Sequence, residues 1–398
     1  MKKLIYLFTA CALAFQIVSA QTNSLQTQRI LTDPGKGTRV ETRIASNATI
    51  TGQQNTLKTI ATPGTNWQAT DGAAIDNVAK VSSKAQLTLA GWTLNDQRLS
   101  LYGTTNVPIW EVPLTIETTE ESVDMNEDGT WIANGYSHTI EVYDPASSTP
   151  TWSTTITRSI LGIKISNDGL KVFVAAGNLP TNDSTFLYCY TVGQNTPLWS
   201  KSYPGTYSSL VINKNLTRIL LGEYGSGATV VHVLNPTNGA LIFDSPTADQ
   251  YPPSISADGK YFVNGNFSGF VYLYEYDDGL GTYTQKWSHK VNGTNSWVCG
   301  MSISADGSTI AVGTLVFLTN SFDGELYVFD NNSPDPLWIY SGMGDMVQCV
   351  DISGNGSIIA AAGWGPLNNS GPDFFLFRRQ SCACKGLWKR RESLQYKF

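Results

Sequence analysis

Charged side chains are scarce in this sequence: Asp, Glu, Lys and Arg make up 15% of its 398 residues. Positive charge is scarcer than negative charge, and the formal net charge at pH 7 is −6. Proteins that bind nucleic acid or an anionic membrane through charge need a basic surface, so this balance argues against both partners. The chain has three histidines, at unrelated positions: His138, His232 and His289. Their spacing predicts neither a metal cluster nor a Ser/His/Asp arrangement.

Cysteine is too sparse, and too irregularly spaced, to predict a disulfide scaffold or a zinc site. Of the six cysteines, Cys189, Cys299 and Cys349 occur within apolar strand patterns. We therefore expect these three to behave as small buried hydrophobic residues.

Long hydrophobic runs are absent apart from one at the N-terminus, and no stretch is long enough to predict a transmembrane segment. There, Lys2 and Lys3 precede an apolar run that ends in Val-Ser-Ala at Ala20. A basic end, an apolar run and a small-residue cleavage site predict a signal peptide over residues 1–20. The protein is thus predicted to be exported, to the periplasm, the cell surface or the medium. Cleavage before Cys11, which would give a lipoprotein, stays an alternative.

Glycine and aromatic residues are abundant, with 36 Gly and 11% Phe, Trp and Tyr, as in turn-rich all-β proteins. Residues 297–340 show the underlying unit. The pattern predicts strands over 297–304, 309–313 and 324–330 and a fourth short strand ending at Trp338, with Asp306-Gly307 as a hairpin turn. Four antiparallel strands in about 44 residues are typical of one β-propeller blade.

Aromatic anchors mark copies of this unit along the chain. They recur at intervals of about 42 to 51 residues, the spacing of four-stranded blades: Trp67, Trp110, Trp152, Trp199, Phe243, Trp287 and Trp338. We count seven blades, and a strand near Trp67 is predicted to complete the last blade and close the ring.

The other repeat features agree with this fold. Asp-Gly or Asn-Gly turns follow the first strands, but the fourth copy has Leu216 instead of Gly, so its turn is predicted to differ. The third strands, such as residues 185–191 (TFLYCYT), are apolar on both faces. Strands stacked between neighbouring blades need no polar face, which separates a propeller from an open sandwich.

These residues carry a resemblance to known families. Residues 324–330 (GELYVFD) and 336–338 (PLW) resemble the repeat of quinoprotein-like (PQQ-repeat) propellers, in which a Trp docks between blades. Residues 303–313 (ISADGSTIAVG) are similar to the inner strands of WD-repeat and lactonase-type propellers. The resemblance covers about residues 67–377. It is a resemblance to exported bacterial proteins of the kind found in Bacteroidetes. It implies the fold and leaves the function open, because such repeats serve many activities.

The predicted organisation is therefore a signal peptide (1–20), a polar linker (21–65), a seven-bladed β-propeller (66–380) and a basic tail, predicted to be disordered (381–398). Asp124, Asn126 and Asp128 match the first half of a calcium loop, but Gly135 stands where a bidentate Glu is needed. They coincide with a repeat turn, so we predict no metal. We also predict no cofactor, because the features expected of a quinone site are missing. Cys382-Ala-Cys384 is not the adjacent pair expected of a quinone-dependent dehydrogenase.

Several aromatics fall in loops that share one rim of the predicted ring. They are Tyr136, Tyr207, Tyr224, Tyr251, Phe267, Trp297 and Trp364. Aromatic rings flanked by small polar residues can stack on sugars or anchor a protein, so this rim is a candidate binding face for a glycan or protein partner. The alternative is that the rings only pack the loops. The sequence favours a binding or scaffold protein; an enzyme of the quinoprotein or lactonase type and an outer-membrane assembly factor stay alternatives.

Overall fold

A computed structural model describes residues 26–33, 37–44, 74–82, 84–94, 97–114, 121–178, 183–225, 228–245, 252–293, 295–319, 321–341, 343–363 and 373–378. Throughout these ranges the chain forms strands, turns and bends, with no helix. Accordingly, the described residues contain no helix with the length and apolar character needed to cross a membrane. Strands β1 (Gln26–Asp33) and β2 (Gly37–Ile44), within the segment predicted as a linker, pair as an antiparallel hairpin.

Seven further antiparallel sheets follow in chain order, and each is one blade. Blade 1 contains β3 (Ala74–Val81), β4 (Thr88–Leu94), β5 (Arg98–Tyr102) and β6 (Pro108–Pro113). Blade 2 contains β7 (Val123–Met125), β8 (Ile132–Tyr136), β9 (Thr139–Tyr143) and β10 (Trp152–Thr155). Blade 3 contains β11 (Ser159–Ile165), β12 (Lys171–Gly177), β13 (Thr185–Thr191) and β14 (Trp199–Tyr203).

The other four blades repeat the pattern. Blade 4 contains β15 (Thr206–Ile212), β16 (Ile219–Gly225), β17 (Ala228–Leu234) and β18 (Leu241–Ser245). Blade 5 contains β19 (Ser254–Ile255), β20 (Tyr261–Gly265), β21 (Phe270–Asp277) and β22 (Thr282–Lys290). Blade 6 contains β23 (Ser296–Ile303), β24 (Thr309–Phe317), β25 (Phe322–Asp323), β26 (Leu326–Asp330) and β27 (Trp338–Tyr340). Blade 7 has three described strands, β28 (Val347–Ile352), β29 (Ile358–Gly363) and β30 (Asp373–Arg378).

The core lies between blades, as the two-sided apolar strands predicted. On β12, Val172 and Val174 pack into a cluster with residues of blade 2, whereas Phe173 packs on the other face with residues of blade 4. First strands of consecutive blades contact each other, so they form the inner ring around the central channel. The prediction of a seven-bladed propeller is confirmed. The closing strand predicted near Trp67 lies outside the described residues.

The turn at Leu216 corrects the sequence analysis, because it does not differ from the glycine turns. Leu216 adopts a φ of 49°, and its N–H donates to the Asn213 carbonyl at 2.9 Å. Gly307 has a φ of 72° and donates in the same way to Ser304 at 2.9 Å. The Asn213 side chain supports the turn, since its Oδ1 accepts the N–H groups of Thr217 and Arg218. These bonds hold a leucine where the backbone favours glycine.

Two smaller expectations also need correction. Trp338 begins the fourth strand of blade 6 instead of ending it. Cys349 is buried, as are Cys189 and Cys299, but it is disulfide-bonded and so is more than a small hydrophobic residue.

Candidate functional site

Four aromatic rings lie in contact on the upper rim, which we define as the edge carrying the turns between second and third strands and the connections into first strands. The Phe267 ring centroid is 4.6 Å from that of Trp297, which is 4.8 Å from Phe317. Phe317 in turn lies 5.5 Å from Phe322. We call these residues the aromatic row. The row crosses from the upper turn of blade 5 to blade 6, so it exists only when the two blades are adjacent.

The blade 6 end of the row stands on an extension of the sheet. β24 continues beyond its pairing with β26 and pairs with the short strand β25, so that Phe317 lies opposite Phe322. The hairpin turn is closed by the Leu318 N–H, which donates to the Ser321 carbonyl at 3.0 Å. Leu318 is 52% exposed and Phe322 is 40% exposed. Large apolar side chains at a projecting tip are typical of contact surfaces.

Phe267 is positioned by a turn that Asn266 stabilises. The Phe270 N–H donates to Asn266 Oδ1 at 2.9 Å, and Gly269 takes a φ of 75°. Trp297 and Phe317 are half-buried against a cluster that contains Leu315 and Met346. The two middle rings of the row are therefore fixed to the core, and Phe322 at one end reaches solvent.

Three other predicted rim aromatics lie within the described ranges, and they do not join the row. Tyr136 is half-buried, and its hydroxyl donates to Glu141 at 3.1 Å; burial, with help from Glu141, raises its pKa. Tyr224 is half-buried at the upper end of β16. Tyr251 and Trp364 lie outside the described residues.

Tyr207 instead reaches across the inner wall of the channel. Its hydroxyl, on blade 4, lies 3.4 Å from Glu121 Oε2 on blade 2. It passes Gly162 of blade 3, where a Cβ would collide with the hydroxyl. Lys164 Nζ pairs with the same Glu121 oxygen at 3.0 Å. Burial would raise the pKa of Glu121, but Lys164 and Lys80 outweigh it and hold that pKa below its usual value.

Two more carboxylates lie on inner strands. Asp124 Oδ2 accepts the backbone N–H of Ile165 in the next blade at 2.9 Å, and burial raises its pKa. Asp351 accepts a hydrogen bond from Ser302 Oγ at 3.2 Å, and burial raises its pKa to about 6. The inner ring therefore holds three carboxyl groups, of which one is paired with a lysine and two have a pKa that burial raises.

The three residues that match part of a calcium loop each bond to a different partner. Asp124 bonds Ile165, whereas Asn126 holds the repeat turn and reaches the Asn167 carbonyl at 2.9 Å. Asp128 pairs with Lys84 at 2.5 Å. Within the ranges that the structure describes, no three His, Cys, Asp or Glu side chains are grouped to hold a metal ion.

The predicted anchors lie at the contacts between blades. Four indole N–H groups donate to the loop of the next blade: Trp110 to the Pro145 carbonyl (2.8 Å), Trp152 to Asn195 Oδ1 (3.1 Å), Trp199 to the Pro236 carbonyl (3.2 Å) and Trp287 to the Asn331 carbonyl (3.0 Å). Phe243 packs among rings of blade 5, with Tyr274 at 5.3 Å. Trp338 packs against the cluster shared by blades 6 and 7. Trp67 lies outside the described residues.

Sequence reasoning missed two groups. Phe317 and Phe322 lie between the predicted strands 309–313 and 324–330, and only the pairing of β24 with β25 shows that they extend the row. The second group is Glu223, His232 and Asp244, which lie on the successive strands β16, β17 and β18. The available signal was a single ionisable residue in each of three otherwise apolar strands.

The fold can be compared with solved structures. This chain is 16% identical to the C-terminal WD40 domain of Sif2. The match covers 85% of this chain and 88% of that domain, with a TM-score of 0.57. This chain is also 10% identical to the Cps50 (Swd1) β-propeller domain of Myceliophteria thermophila. The match covers 77% of this chain and 97% of that domain, with a TM-score of 0.54. The chain has a WD40-type β-propeller fold. No protein family and no curated protein matches its sequence. The WD-repeat-like part of the resemblance is therefore supported, whereas the quinoprotein-like part stays a prediction.

Proposed function

We propose that this WD40-like propeller is an exported scaffold that binds a protein partner at the upper rim of blades 5 and 6. The observation that carries the proposal is the aromatic row, which ends in the exposed side chains of Leu318 and Phe322 on a projecting hairpin. Aromatic and large apolar residues that project from a rigid support are typical binding hot spots. The likeness to WD40 domains supports a scaffold role, because closed propellers offer a stable rim for interactions.

A protein partner suits this surface better than a flat sugar-stacking platform. Phe267 covers one side of Trp297 with an interplanar angle of 30°, and Phe317 meets it edge-on. The exposed part is the end of the β24–β25 hairpin, where Leu318 and Phe322 can enter a pocket of the partner. A glycan is the other outcome that the experiment distinguishes.

Photo-crosslinking tests the proposal in the full-length protein. A photo-reactive phenylalanine analogue in place of Phe322 is expected to crosslink a protein in an extract of the source cells, and Leu318→Ser is expected to reduce the yield about tenfold or more. The matched control carries the same analogue at Leu280, which is 67% exposed but lies at the turn between β21 and β22 on the lower rim. Equal crosslinking at both positions would contradict the proposal. Binding to a glycan panel that Phe322→Ser abolishes would replace the protein by a carbohydrate.

Export is part of the proposal and rests on residues 1–20 alone. Intact-mass measurement of the mature protein is expected to show an N-terminus at Gln21, because Val-Ser-Ala precedes it. A lipid-modified N-terminus at Cys11 would select the lipoprotein alternative, and an uncleaved chain in the cytoplasm would contradict export.

A further inference from the structure

An imidazole is held between two carboxylates in blade 4. His232 Nδ1 lies 2.6 Å from Asp244 Oδ1, and its Nε2 lies 3.1 Å from Glu223 Oε1. His232 pairs with Asp244 across β17 and β18, so the sheet register itself brings them together. Glu223 comes from β16 on the other side. The three side chains, which we call the clasp, therefore join the three outer strands of this blade.

The clasp lies at the contact with blade 3. The ring of Tyr203, at the end of the outer strand of blade 3, stacks on the imidazole with centroids 4.3 Å apart. Gly205, in the connection between the blades, makes room for the Glu223 carboxylate, since a Cβ there would lie 2.8 Å from its Cδ. The clasp and this contact between blades 3 and 4 therefore form together.

The burial of the three groups is unequal. His232 is 7% exposed and Glu223 is 8% exposed, whereas the Asp244 side chain is 49% exposed. The Asp244 side of the clasp is therefore open to solvent, whereas the Glu223 side is buried. Among the described residues, neither Glu223 Oε2 nor His232 Nε2 has a hydrogen-bond partner, and both atoms are buried. The Glu223 carboxylate therefore depends on the charge of His232, 3.1 Å away, for its stability.

Protonation decides how many carboxylates the imidazole can satisfy. A neutral imidazole carries one N–H, so when Nδ1 is protonated and donates to Asp244, Nε2 presents a lone pair to the Glu223 carboxylate. An imidazolium keeps the hydrogen bond to Asp244 and presents positive charge to Glu223 as well. Burial would lower the pKa of His232, but the contacts with Glu223 and Asp244 outweigh it and raise that pKa above its usual value. Burial raises the pKa of Tyr203 to about 12, so the stacked tyrosine stays neutral over the pH range in which His232 titrates.

We propose that Glu223, His232 and Asp244 form a proton-operated clasp that tightens the contact between blades 3 and 4 when His232 is protonated and loosens it when the proton leaves. Because the pKa is raised in the folded protein, the stabilisation is fully present below about pH 6.5 and is lost as the pH rises through the folded-state pKa. Glu223, Asp244 and Tyr203 are the titratable groups that face His232 from the elements packed against it.

Titration of the histidines by NMR tests the first half of the proposal. The chain has three histidines, so the His232 signals can be assigned by their loss in His232→Gln. We expect a His232 midpoint above about 6.5. Glu223→Gln and Asp244→Asn, which keep size and remove charge, should each shift it downward. His289 is the control, because burial lowers its pKa and it lies in blade 5. A His232 midpoint at or below about 6.5 would overturn the clasp.

Hydrogen exchange tests the second half. Amide protection in residues 199–203 and 219–234, corrected for the intrinsic rate, should fall between about pH 5.5 and pH 8. The fall should be up to about tenfold for each unit by which the His232 pKa is raised. His232→Gln should show no such change, and β24 in blade 6 should show none in either protein. An equal loss of protection in His232→Gln would overturn the proposal.

Discussion

Replacing Trp287 by phenylalanine tests the physical basis of blade-to-blade packing. The indole is 7% exposed, and its N–H donates to the Asn331 carbonyl of blade 6 at 3.0 Å in a buried hydrogen bond. Its ring also lies 5.3 Å from that of Phe329. Phenylalanine keeps the ring contact but removes the donor and part of the buried ring system.

The magnitude follows from these two losses. Leaving a buried carbonyl without its donor costs about 1–3 kcal/mol. The lost carbon atoms add roughly 1 kcal/mol of burial. Trp287→Phe is thus expected to lower the free energy of unfolding by about 2–4 kcal/mol.

Trp199→Phe is the matched control. The Trp199 indole is half-exposed and donates to the Pro236 carbonyl at 3.2 Å. Water can replace that donor, so the loss should be about 1 kcal/mol. Both variants can be compared by urea unfolding followed by circular dichroism, which does not depend on the substituted fluorophore. Equal losses in the two variants, or a loss below about 1 kcal/mol for Trp287→Phe, would show that the buried indole hydrogen bond does not stabilise the contact between blades.

Three further predictions concern the turns and the inner ring. Leu216→Gly should leave the unfolding free energy unchanged or raise it by up to about 1 kcal/mol, because glycine adopts the positive φ without strain, whereas Leu216→Val should lower it by more than about 1 kcal/mol. Gly162→Ala should lower it by about 1–3 kcal/mol by displacing Tyr207, and Tyr207→Ala in the same chain should relieve part of this loss. Asp351→Asn should raise it by up to about 3 kcal/mol at pH 8 and by less at pH 4.5. The sign follows because burial raises this carboxyl pKa, so the native protein loses stability as the pH rises from the unfolded value of about 4 to about 6.

Urea unfolding measures all three. A Leu216→Gly variant that is less stable than the native protein by more than about 1 kcal/mol would show that leucine packing outweighs the backbone strain. For Gly162→Ala, the absence of any coupling with Tyr207→Ala would contradict the predicted collision. For Asp351→Asn, an equal gain at both pH values would show that ionisation is not the cause.

The architecture could be predicted from the sequence, because each copy of the repeat carries local signals of the same blade. Turn residues such as Asp306-Gly307, third strands such as β13 that are apolar on both faces, and one aromatic residue per copy each predict the same blade. Even so, Leu216 shows a limit of this reasoning. The residue at this position predicts a different turn, yet the side chain of Asn213 stabilises the same turn with leucine in the place of glycine.

The contacts between side chains of different strands and blades could not be predicted in this way. Phe267 and Phe322 belong to different blades, Tyr207 reaches Glu121 past a third blade, and Glu223, His232 and Asp244 converge from three strands. Such meetings depend on strand register and on the rotation from one blade to the next, and a shift of one residue would turn each side chain to the other face. Periodicity in the sequence specifies the blade, whereas the packing of neighbouring blades against each other specifies the sites between them.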